Sequence, residues 1–151
     1  MKEKKIINTE NIKFINQFIK DLSFENYSAQ KNILVKEKLK YKIDLKIETK
    51  SVEETKYEVT LIFLIEAFYN NTKTFLIELS YAGTFEIQET DKERLRNILM
   101  IECAKFIYPF CRRIIYDISR DGGFTPIKLG YFNFQKLYEN QKSHNFNSSS
   151  A

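Results

Sequence analysis

The amino-acid sequence predicts an α+β domain: a four-stranded antiparallel sheet packed on a long, proline-kinked helix and a short C-terminal helix. Three observations point there. Apolar and polar residues alternate in two stretches, residues 41–49 and 74–87, as in strands with one buried face. The connections around residues 51–55 and at Asn70-Asn71 are too short for a crossover and join neighbouring strands as hairpins. From Thr90 the two-residue period gives way to a long apolar run that suits a helix. With 151 residues, 43% hydrophobic and 29% charged, the chain has one domain's worth of core-forming material. Residues 1–142 are assigned to that domain, and residues 143–151, polar and serine-rich, to a flexible tail.

The first strand, from Ile12 to Phe24, is the least regular. Phe14, Phe18 and Leu22 are spaced like one face of a helix, whereas Asp21, Ser23 and Glu25 alternate with Leu22 and Phe24 as in a strand, and the strand pattern is preferred. The connection from Asn26 to Lys40 carries a small apolar knot, Ile33-Leu34-Val35, and its length suits binding better than passive linkage. In the second strand Tyr41, Ile43, Leu45 and Ile47 share one face and Lys42, Asp44, Lys46 and Glu48 the other. The third, from Tyr57 to Tyr69, is rich in β-branched and aromatic residues. The fourth puts Phe75, Ile77, Leu79, Tyr81 and Phe85 on one face and Leu76, Glu78, Ser80, Thr84 and Glu86 on the other.

Thr90-Asp91-Lys92-Glu93 has the spacing of a capping box that opens the long helix. Between Leu95 and Ile118 apolar side chains cover most of its circumference, so it needs partners on two sides. One is its own sheet; the other is most simply a second subunit, with Ile98, Ile101, Cys103 and Phe106 as interface candidates. Pro109 is expected to kink or divide the helix, and Asp121-Gly122-Gly123 to end it. An extended stretch from Phe124 to Tyr131 leads to a short helix near residues 133–142, with Phe134, Leu137 and Tyr138 on one face.

The net charge of +4 hides a pattern. Residues 1–50 carry 12 basic and 7 acidic side chains, residues 51–91 carry 2 and 8, and residues 92–151 carry 10 and 5. An acidic middle lies between basic flanks, and the strand aromatics sit among aliphatics rather than lysines and arginines, so nucleic acid is not an expected partner. Cys103 and Cys111 fall in one helix, roughly 12 Å apart along its axis, too far for a disulfide. With His144 as the only histidine, no zinc-type ligand set is present and no metal is expected. No glycine-rich phosphate loop or hydrolase motif occurs, so neither catalysis nor a cofactor is expected. Cys103 reads as a buried structural thiol, and Glu53 and Glu54 as solvated turn residues. The absence of a signal-like start or a membrane-length apolar run points to a reduced, cytoplasmic protein with no membrane insertion. What remains in excess is apolar surface: 13 Phe and 9 Tyr suit subunit contact or an apolar groove as well as an aromatic core.

Several segments together resemble a known family. Lys20-Asp21-Leu22-Ser23-Phe24-Glu25, Tyr81-Ala82-Gly83-Thr84-Phe85, Ile107-Tyr108-Pro109-Phe110 followed by Arg112 and Arg113, Arg120-Asp121-Gly122-Gly123-Phe124, and Tyr131-Phe132-Asn133-Phe134 with Leu137-Tyr138 look like the bacterial protein-export chaperone SecB family. The resemblance spans about residues 12–140 in the same order of elements. It implies a homotetramer, a dimer of dimers, that acts without ATP as a holdase: it binds unfolded preproteins, keeps them competent for export and passes them to the motor SecA. By motif, the SecA contacts map to Asp21, Glu25, Leu76 and Glu78. The family's client grooves, between the helical layer and the loop after the first strand, map to Ile33, Leu34, Val35, Ile127, Leu129, Tyr131, Phe134, Leu137 and Tyr138, positions that an ordinary core would also use. The chain departs from the family in its basic charge, in lacking tryptophan, and in having Asn26-Tyr27-Ser28-Ala29 where prolines are common. Two other readings fit the residues: a SecB-like chaperone dedicated to one client such as an antitoxin, and a small-molecule-binding or enzymatic α+β domain.

Overall fold

A computed structural model describes residues 11–31 and 38–149, with side-chain surroundings through Lys142. The elements are β1 (Ile12–Asn26), a single turn α1 (Tyr27–Gln30), β2 (Lys40–Glu53), β3 (Lys56–Tyr69), β4 (Thr72–Ile87), α2 (Lys92–Asn97), a π-wound segment (Ile98–Cys103), α3 (Ala104–Asp121) and α4 (Phe134–Ser149). The strands form one antiparallel sheet in the order β1-β4-β3-β2. The helices cover one face, so the predicted α+β architecture is the observed one.

The Asn70-Asn71 hairpin turn has φ of 47° and 63° at its two residues, a left-handed pair that asparagine tolerates better than most side chains. The pairing then slips by one residue between Ala67 and Phe68, and the Thr74 hydroxyl, buried at the slip, donates to the Ala67 carbonyl at 3.0 Å. Two further irregularities lie in β1, at Ile15 and Lys20. Each extra residue reverses which parity faces the helices, and this explains the mixed spacing of the first strand.

The inner sheet face is the core. Phe63, Ile65, Phe75 and Ile77 are wholly buried, and α3 lies so close that a Cβ on Gly83 would sit 2.8 Å from an Ile107 methyl carbon. Of the second strand's four inward candidates only Leu45 and Ile47 are buried; Tyr41 and Ile43 are about two-fifths exposed, because β2 is an edge that the helices do not fully cover.

The long helix departs from expectation in two places. Asp91, not Thr90, is its cap, accepting from the Glu93 amide at 3.0 Å, since the short aspartate side chain reaches the first turn from one position further on. Pro109 does not divide the helix: α3 runs through it to Asp121, and the irregular winding lies one turn earlier, in the π segment. Gly122 then caps α3, and Gly123 at φ +92° turns the chain away.

The return segment is held by Ser119. Its buried Oγ accepts from the Ile127 amide at 3.0 Å and lies 2.8 Å from the Ile115 carbonyl, to which it donates. Ser119→Ala is expected to cost about 1–3 kcal/mol, because it leaves a buried amide unpaired, and a urea unfolding midpoint checks this. α4 continues past the expected end at Lys142 to Ser149.

Candidate partner-binding surfaces

The sheet face away from the helices is the first candidate surface. Across β1 and β4, Glu25 pairs with Leu76, Ser23 with Glu78 and Asp21 with Ser80. Paired residues project to the same side with Cβ atoms roughly 5 Å apart, so Asp21, Glu25, Leu76 and Glu78, read from two separate segments, share one outer patch. Asp21, Glu25 and Glu78 are exposed and Leu76 is half-buried.

Two neighbours escaped the sequence reading. Glu66 of β3 pairs with Leu76 from the other side and lies 3.8 Å from Lys73. Tyr27 donates to Glu25 at 2.7 Å, and that bond, together with the nearby carboxylates of Glu25, Glu78 and Glu66, raises the pKa of its phenol. The signal for Glu66 was the alternation of β3, but its position beside Leu76 depends on the one-residue slip at Thr74. Farther along the same face the nearly buried Glu58 binds Lys20 at 2.9 Å and Lys50 at 3.5 Å, joining β1 and β2 across the sheet.

The groove candidates divide. Ile127, Leu129, Phe134 and Tyr138 are buried in the chain's own core; Phe134 packs on Tyr108 with ring centroids 5.6 Å apart. They are not open lining, because the return segment and α4 fold back onto α3. Leu137 is half-buried, and Tyr131 is 86% exposed. Ile33, Leu34 and Val35 lie outside the described residues.

The subunit-interface candidates divide in the same way. Ile98 and Cys103 belong to the core, since the π segment turns Ile98, Leu99, Met100 and Cys103 all inward. Ile101 is half-buried and Phe106 is 47% exposed. Phe106 begins a stripe at four-residue spacing with the half-buried Phe110, Ile114 and Ile118. It also meets Phe14 of β1 at a centroid distance of 5.0 Å. With Ile19 and Leu22, both more than a third exposed, an apolar surface continues from α3 onto the edge strand. This is the second face that the apolar helix required.

Both cysteines are buried, and burial pushes each thiol up to about 12. The folded value lies above that of the unfolded chain, about 8.5. The associated stabilisation is therefore complete below the unfolded pKa and is lost as pH rises toward the folded one. At pH 8 a disulfide reagent is expected to label neither cysteine in the folded protein and both in denaturant; rapid labelling of the folded chain would contradict the burial. Among the described residues no helix is long and apolar enough to cross a membrane.

A family model described as preprotein translocase subunit SecB matches residues 6–145. Among curated proteins, the protein-export protein SecB of Dinoroseobacter shibae is 36% identical over 133 residues, which cover 86% of this chain and 77% of that one. Those of Ruegeria sp. and Bartonella bacilliformis are 39% and 34% identical, covering 84% and 88% of this chain and 79% and 87% of theirs. Among solved structures, the SecB-like chaperone of Mycobacterium tuberculosis, in complex with an antitoxin peptide, superposes with a TM-score of 0.70 at 14% identity, covering 82% of this chain and 93% of that one.

Proposed function

Because the chain belongs to the SecB family, we propose that it is an ATP-independent, cytoplasmic export chaperone that binds unfolded preproteins and delivers them to SecA. The observation that carries the proposal is the convergence of Asp21, Glu25, Leu76 and Glu78, from two strands far apart in sequence, on one exposed patch of the outer sheet face. Three carboxylates on the same face, with a half-buried leucine beside Glu25, offer a basic, partly apolar partner both steering and a seat. The apolar surface of Phe14, Ile19, Phe106 and Phe110 serves subunit contact, and a homotetramer built as a dimer of dimers is the assembly proposed. Clients are held in extended form against the helical layer, with Tyr131 and Leu137 as the accessible apolar contacts among the described residues. Such contacts select for unfoldedness more than for sequence.

Sizing the protein alone, with an unfolded precursor and with SecA tests the reading. The expected result is a tetramer that shifts with both partners; a monomer that binds neither overturns it. The alternative of a chaperone dedicated to one antitoxin draws on the fold shared with the Mycobacterium tuberculosis protein. The export reading draws on relatives at 34–39% identity, all named for protein export. A toxin–antitoxin pair encoded beside this chain would favour the alternative.

A further inference from the structure

The helical layer carries a second charged feature, opposite in sign to the sheet patch. A cleft of about 400 Å³ opens between α3 and the return segment, lined by Pro109, Arg112, Arg113, Tyr116, Lys128 and Leu129. Arg112, Arg113 and Lys128 are exposed, and among the described residues none of the three has an ion-pair or hydrogen-bond partner for its side chain. The nearest acid along α3, Asp117, is engaged instead by Arg120 at 3.6 Å. Three unneutralised cations therefore surround a partly apolar floor made by Leu129 and the Tyr116 ring.

The backbone beside the cleft is also open. Residues 128–131 belong to no helix or strand, and none of their amides donates to a described residue, while the Gly130 carbonyl is held by the Tyr108 hydroxyl. Main-chain donors left free outside any helix or strand can pair with the backbone of a bound peptide. They also distinguish a peptide from a bare anion, for which cations alone would suffice. The same segment continues directly to the exposed Tyr131, so an occupant of the cleft is continuous with the proposed client surface.

We propose that this cleft binds acidic stretches of extended client polypeptides, giving the chaperone a preference for clients in which Asp or Glu flanks an apolar core. The proposal rests on the holdase reading and deepens it. Placing the basic cleft in the helical layer and the acidic patch on the opposite sheet face keeps client and motor from competing. A basic partner drawn to Glu78 is repelled by Arg112 and Arg113, and an acidic client is repelled by the sheet patch.

Three fluorescent 15-residue peptides with a common aromatic and aliphatic centre and with Glu, Gln or Lys flanks provide the test, by anisotropy on the full chain at low and high salt. The Glu-flanked peptide is expected to bind about tenfold more tightly than the Lys-flanked one, with the difference shrinking as salt rises. Replacing Arg112, Arg113 and Lys128 together by Gln, and in a second variant by Glu, is expected to abolish and then reverse that order while the Gln-flanked peptide binds as before. All three side chains are exposed, and an unchanged unfolding midpoint verifies that both variants fold. If all three peptides bind equally, or the order survives the substitutions, the charge preference is wrong and the holdase reading stands. If no peptide binds the unmodified chain, the holdase reading fails and the proposal with it.

Discussion

Phe75→Ala is expected to lower folding stability by about 3–5 kcal/mol, among the largest effects a single side chain in this domain can have. Phe75 is wholly buried, and its ring centroid lies 4.4 Å from that of Phe124, 5.6 Å from Phe24 and 6.3 Å from Tyr41. One ring thus joins β1, β2, β4 and the segment after α3. Truncation removes the transfer energy of the ring and leaves a cavity that its neighbours fill only in part. Chemical unfolding followed by circular dichroism measures the loss. Phe75→Leu should cost clearly less, since it keeps most of the volume. A loss below about 1 kcal/mol for the alanine variant would mean that the four elements are not locked through this ring.

Glu25→Lys with Glu78→Lys is expected to weaken SecA binding by about tenfold or more at low salt, with the unfolding midpoint and the sizing profile of the chaperone unchanged. Both side chains are exposed, so reversing them disturbs no core contact, although Tyr27 loses its bond to Glu25. Two reversals turn an acidic patch around Leu76 into a mixed one that repels a basic partner. Calorimetric titration with SecA gives the affinity directly. An affinity equal to that of the unmodified chain would remove this patch from the contact.

Much of the surface chemistry was legible because it depends on short-range pattern. The outward set of the fourth strand, including Leu76 and Glu78, follows from simple alternation, and the asparagine pair at residues 70 and 71 marked the hairpin by its tolerance of positive φ. The division of the late apolar residues between core and surface was not legible. Ile98 and Cys103 look as available as Phe106 in a regular helical wheel, but the π segment they bound puts residues five apart on one face and buries both. Likewise Ile127, Leu129, Phe134 and Tyr138 have the composition of a groove. Only the fold-back of the chain, held by Ser119 and Tyr108, buries them.

By itself the sequence determined the number of strands, the antiparallel hairpins that join the second, third and fourth, and the switch from sheet to helix, because two- and near-four-residue periods and turn chemistry act within a few residues; that β1 returns to pair with β4 was decided by the fold. It also determined which segments resemble SecB. The tertiary structure alone decided register. Of the four single-residue irregularities in the sheet, at Ile15, Lys20, Val52 and Thr74, those at Ile15, Lys20 and Thr74 reset how β1, β3 and β4 face one another, each reversing which sheet face the following side chains share with their partners. Through them Asp21 and Glu25 come to lie beside Leu76, Glu78 and Glu66, an arrangement that depends on pairing energies summed across the whole sheet and on no local signal.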